Sequence, residues 1–90
     1  MENTDKKDVK INKVFGEILK RERAKTGKSQ EKLALDAGIN RTYVLRLEQG
    51  MMQPTITTFI KLANGLGIPA ADLMRETEEA FIKSNLHLKQ

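Results

Sequence analysis

Arg41, Thr42, Tyr43 and Arg46 fall within six consecutive residues. Their functional groups suit recognition better than bond making. A guanidinium can donate two parallel hydrogen bonds to guanine O6 and N7. A threonine hydroxyl donates or accepts, and its methyl can meet thymine. Tyrosine offers a flat apolar body and a hydroxyl able to reach a phosphate or a base edge. Groups for catalysis are not gathered in this way. His87 is the single histidine, has no acid or nucleophile at a meaningful spacing, and reads as a surface residue. Cysteine is absent, which excludes disulfides and thiolate metal sites. Gly65-Leu66-Gly67 follows no strand, so it does not read as a dinucleotide motif. The chain is expected to be no enzyme, and to need no metal, cofactor or small-molecule ligand.

The four side chains need a short helix held firmly from behind. Ser29 is a good N-cap for a helix whose inner face is Leu33, Ala34 and Ala37. Gly38 stops that helix. Asn40 caps the next one, with Val44 and Leu47 inside and Gly50 closing it. Two short helices joined by a turn of about three residues form a helix-turn-helix, whose second helix enters the major groove by its N-terminal end. Gly38 permits an open or left-handed backbone, and the small Ala34 lets the helices approach. Ile39, Val44 and Leu47 then pin the pair, leaving Arg41, Thr42, Tyr43, Leu45 and Arg46 outward. Gln30 stands at the start of the preceding helix, where backbone amides and the helix dipole favour a phosphate. Lys28, Ser29 and Asn40 lie near enough for backbone contacts, which set register rather than sequence preference. Charge points the same way. Residues 20–50 carry eight basic and four acidic side chains, a net of +4, whereas residues 70–90 net −1. Such a patch suits a polyanion.

The rest of the chain reads as support. Asn12 is expected to cap a first helix with Val14, Phe15, Ile18 and Leu19 inside and Gly27 at its end. Thr55 caps a fourth, with Ile56, Phe59, Ile60, Leu62, Ala63 and Leu66 inside and Gly67 at its end. Asn64-Gly65 lies within helical spacing, so it is read as part of that helix and not as a hairpin turn. Pro69 opens a fifth helix, packed through Ala70, Leu73 and Met74. The expected organisation is a flexible arm over residues 1–10, a DNA-binding domain over 11–76 and a C-terminal extension over 77–90. Phe81, Ile82 and Leu86 share a helical face there, which either returns to the core or meets a second copy of the chain. No apolar run approaches the roughly 20 residues of a membrane span. The first ten residues, MENTDKKDVK, lack the apolar stretch of a signal peptide. The expected location is the cytoplasm.

The segments "FGEILKRER", "SQEKLALDAGINRTYVLRLEQG", "PTITTFIKLANGLGIP" and "ADLM" together resemble the phage-repressor and Cro-like (XRE-type) helix-turn-helix family. The resemblance covers about two-thirds of the chain. It implies an all-α fold of five helices and transcriptional control by a homodimer on (pseudo)palindromic double-stranded DNA. It further implies that Gln30 clamps a phosphate and that Arg41, Thr42, Tyr43 and Arg46 lie on the base-reading face. Arg23 and Glu48 would form a structural ion pair between the first and third helices. Lys28 and Glu22 occupy positions that are often apolar in that family. The triplet Arg41-Thr42-Tyr43 resembles controller proteins of restriction–modification systems. A protein-interaction module that reuses the fold, such as an antirepressor-type partner binder, is the alternative reading.

Overall fold

The computed structural model describes residues 2–85 and contains five helices, with no strand among the described residues. In chain order these are α1 (Glu2–Thr26), α2 (Gln30–Ala37), α3 (Arg41–Glu48), α4 (Ile56–Leu66) and α5 (Ala70–Ser84). The expected all-α class and helix number are both found. α1 lies against α3 and α5, while α2 packs on α3 and α4. Every helix contributes to one core, because Leu19, Leu33, Val44, Leu47, Leu62 and Leu73 are all fully buried. Phe15 and Phe59 add a tilted ring pair with centroids 5.5 Å apart.

Capping chemistry sets the boundaries. Ser29 Oγ accepts from Lys32 N–H at 3.0 Å, Asn40 Oδ1 from Thr42 N–H at 2.6 Å, and Thr55 Oγ1 from Thr58 N–H at 3.1 Å. Pro69 stands at the N-cap of α5, without a side-chain cap bond. Asn12 is not a cap. α1 runs through residues 2–10, where a flexible arm is expected, and places Asn12 in its interior. No glycine or proline precedes Gly16, so nothing local stops the helix.

Two inner-face expectations also need correction. α4 buries Thr58, Phe59, Leu62, Ala63, Gly65 and Leu66, whereas Ile56 and Ile60 are 81% and 53% exposed. The buried arc is already filled, and the two isoleucines, one turn apart, fall on its flank. Met74 of α5 is likewise exposed. Gly65 has a packing role. A Cβ there would sit 3.1 Å from both Ala37 Cβ and Leu33 Cδ1, so the missing side chain is what lets α4 close on α2.

Candidate nucleic-acid interface

The turn between α2 and α3 is built by backbone geometry. Gly38 adopts φ 72° and ψ 35°, the left-handed region that glycine enters without a Cβ penalty. Its N–H donates to Leu35 O at 3.1 Å, and Ile39 N–H donates to Ala34 O at 2.9 Å, so these two carbonyls of the last turn of α2 are satisfied. The chain re-enters a helix at Arg41, two residues beyond Ile39. Val44 and Leu47 are fully buried and anchor α3 from below. Arg41, Thr42 and Arg46 are exposed, and Tyr43 and Leu45 are half-buried. Asn40, Thr42, Tyr43 and Arg46 line one open hollow. Arg41 stands exposed at the first residue of α3.

A second constellation holds the base of α3. Arg23 Nε and Nη2 donate to Glu48 Oε2 and Oε1 at 2.6 and 3.0 Å, a bidentate pair. Arg23 Nη1 also donates to Lys28 O at 3.0 Å. Both side chains are largely shielded from water. The Glu48 carboxylate raises the guanidinium pKa above its usual value, chiefly by accepting its hydrogen bonds. Glu48 Oε1 accepts a further bond from Gln30 Nε2 at 3.0 Å. One carboxylate therefore links α1, the start of α2 and the end of α3. The Gln30 amide nitrogen has a second N–H beyond the one given to Glu48.

Ser29 and Asn40 are exposed, each with its side-chain oxygen engaged as a helix cap. Lys28 does not join the group. Its ammonium donates to Gly65 O at 2.6 Å and pairs with Asp36 at 2.7 Å, so it fastens the loop before α2 to α4 and α2. The local sequence gives a basic residue next to a helix start but not the partners that occupy it. Lys28 and Lys32 together hold the Asp36 carboxyl below its usual range by hydrogen bonding. Glu22 is buried, and its bond from Lys25 at 2.9 Å is the main cause holding its carboxyl low.

Among the residues proposed for a subunit contact, Phe81 is half-buried and packs on the chain's own core, because α5 folds back against α1. Ile82 is exposed, and Leu86 lies outside the described residues, as does His87. Sequence reasoning placed Met52 only in an exposed loop, whereas it is half-buried and lines the hollow beside Arg46 and Tyr43. The available signal was the turn at Gly50, which brings the chain back beside α3.

Residues 19–73 match the helix-turn-helix family model. The chain is 32% identical over 69 residues to an uncharacterized HTH-type transcriptional regulator, y4dJ, of Sinorhizobium fredii, covering 77% of this chain and 90% of that protein. It is similar to the crystal structure of the restriction-modification controller protein C.AhdI from Aeromonas hydrophila. That likeness has 35% identity, a TM-score of 0.67, and coverage of 69% of this chain and 94% of the other. The controller C.Esp1396I, solved as a tetramer with its natural 35-base-pair operator, shares the fold at 21% identity and a TM-score of 0.73, covering 80% of this chain and 95% of the other. With this match and these relatives, the chain belongs to the helix-turn-helix family, as an XRE-type DNA-binding transcriptional regulator related to the restriction–modification controller proteins.

Proposed function

We propose that the protein acts as a homodimer that reads a (pseudo)palindromic operator, with α3 of each protomer in the major groove and half-sites about one helical turn apart. The observation that carries this reading is the convergence of Asn40, Thr42, Tyr43 and Arg46 on one open face of a capped helix. Arg41 and Arg46 supply bidentate donors for guanine, and Thr42 and Tyr43 supply smaller polar and apolar contacts. Gln30 and the start of α2 seat on the backbone, with Glu48 orienting the amide.

Dimerisation is supported by an apolar face that the monomer leaves open. Ile56, Ile60 and Met74 are at least half exposed. Ile56 and Met74 also line an apolar groove with Ile11, Phe15, Pro54 and Phe59. A second copy of the chain is the occupant we assign to this face. Control of a restriction–modification locus, or of the protein's own gene, is the regulatory role that best fits the relatives. Selection from a random duplex pool at about 0.15 M salt, followed by gel retardation, tests the function. An enriched inverted repeat is expected. Uniform retardation of every sequence, or none, would overturn sequence-specific reading.

A further inference from the structure

The hollow on α3 has one wall that does not come from the helix-turn-helix. Met52 belongs to the loop between α3 and α4, yet it lines the same space as Asn40, Thr42, Tyr43 and Arg46. Its position is fixed from several sides. Gly50, at φ 75°, closes α3 with its N–H on Leu47 O at 3.1 Å, and Met51 N–H donates to Arg46 O at 3.0 Å. Gly50 also abuts α1, since a Cβ there would lie 3.1 Å from Lys13 Cα. At the other end, Pro54 and the capping Thr55 lead directly into α4. The loop separates its two methionines. Met51 is 64% exposed, whereas Met52 is half-buried and packs on the core together with Tyr43. An apolar, polarisable side chain thereby shares the hollow with Arg46.

A thioether and the carbon face of a tyrosine ring offer a phosphate no hydrogen-bond donor. Of the groups that base pairs display in the major groove, the C5-methyl of a pyrimidine is the apolar one. We propose that Met52 is a specificity-determining residue, forming with Tyr43 the apolar wall of a subsite for the 5-methyl group of a pyrimidine next to the guanine met by Arg46. This rests on α3 being the reading helix. The shared chemistry is a 5-methylpyrimidine, whose sources are thymine and 5-methylcytosine.

The probe is the duplex enriched from a random pool by the wild-type protein. Each thymine is replaced singly by deoxyuridine, which removes only the methyl. For the wild type, one deoxyuridine substitution per half-site is expected to weaken binding about fivefold, the scale of one buried methyl group. In Met52→Gln, which keeps length but not apolarity, that penalty should vanish, and in Met52→Leu it should persist. Placing cytosine or 5-methylcytosine at the same position separates the sources. Recovery with 5-methylcytosine assigns the preference to the methyl itself, and recovery with thymine alone adds a contact to O4. Unchanged thermal midpoints exclude misfolding of the variants; if Met52→Gln does not fold, Met52→Ala takes its place. The proposal is overturned if no thymine shows a methyl penalty in the wild type, or if the penalty survives undiminished in the folded Gln or Ala variant. Either result leaves α3 as the reader so long as the wild type enriches a specific sequence. Failure to enrich any sequence removes that reading as well.

Discussion

The carboxylate of Glu48 accepts three hydrogen bonds, two from Arg23 and one from Gln30. Its side chain is 3% exposed, and that of Arg23 is 16% exposed. Removing one partner of a shielded pair leaves the other charge without compensation, which costs more than losing an exposed surface pair. Glu48→Ala is therefore expected to lower unfolding free energy by about 2–4 kcal/mol in a denaturant titration, whereas an exposed change such as Glu79→Ala should stay within about 0.5 kcal/mol. Arg41 and Arg46 behave differently because they are exposed and their side chains pair with no partner among the described residues. Arg41→Ala or Arg46→Ala should leave stability nearly unchanged but relax preference at one base pair, by about 1–3 kcal/mol in competition between the selected site and a single-pair variant of it. If both variants discriminate as the wild type does, those arginines do not read bases. Residue types and spacing made the exposed face of α3 legible, whereas the Arg23–Glu48 pair was legible only through the resemblance to the helix-turn-helix family. The bond from Lys28 to Gly65 O was not legible, because it depends on α4 arriving beside α2, 37 residues later in the chain.

Helix ends are local chemistry, and here they could be read well. Ser29, Asn40 and Thr55 cap as their types and positions imply, and Gly27, Gly38, Gly50 and Gly67 all take positive φ. Helix faces were harder, since α4 carries more large apolar residues than its buried arc can take. The start of α1 was hard for the opposite reason, because polar composition alone does not end a helix. Gly16 shows what spacing cannot reveal. A Cβ there would lie 2.5 Å from Leu47 O and 2.8 Å from Glu48 O, so α1 and the end of α3 meet backbone to backbone. Alanine would gain about 1 kcal/mol of helix propensity over glycine. Overpacking against two carbonyls that the last turn of α3 holds in place costs up to about 3 kcal/mol, and that term should win. Gly16→Ala is expected to be destabilising by about 2 kcal/mol on chemical denaturation. Gly38→Ala has open space around its Cβ and carries only left-handed strain, about 1 kcal/mol. A stabilised Gly16→Ala protein would show that the helices are not in such close contact.

Across the whole molecule, charge and exposed apolar area are unevenly placed, and each has a measurable consequence. Glu22 and Asp36 are both held below the usual carboxylate range by lysine partners. The unfolded chain therefore binds more protons in acid than the folded one, and the linked stability is present above about pH 4–5 and lost as the pH falls further. The thermal midpoint should drop between about pH 5 and pH 2.5, and Asp36→Asn should show a shallower drop. Apolar area makes the last case. Ile56 is 81% exposed and Ile60 is 53% exposed, so a charge at either site meets solvent in the lone chain and should change its folding stability by only about 0.5 kcal/mol. If a second copy covers that stripe, the same charge is buried at the contact and must be paired or expelled. Ile56→Glu with Ile60→Glu is then expected to sediment as a folded monomer at tens of micromolar, where the wild type sediments as a dimer. Losing the link between two reading helices makes each half-site contact independent, and operator affinity should fall on the order of 100-fold. Contact to a lone half-site should be unaffected, because the stripe lies on α4 and not on α3. A wild-type chain that sediments as a monomer both free and on its operator would remove the dimer, while leaving α3 as the DNA-reading element.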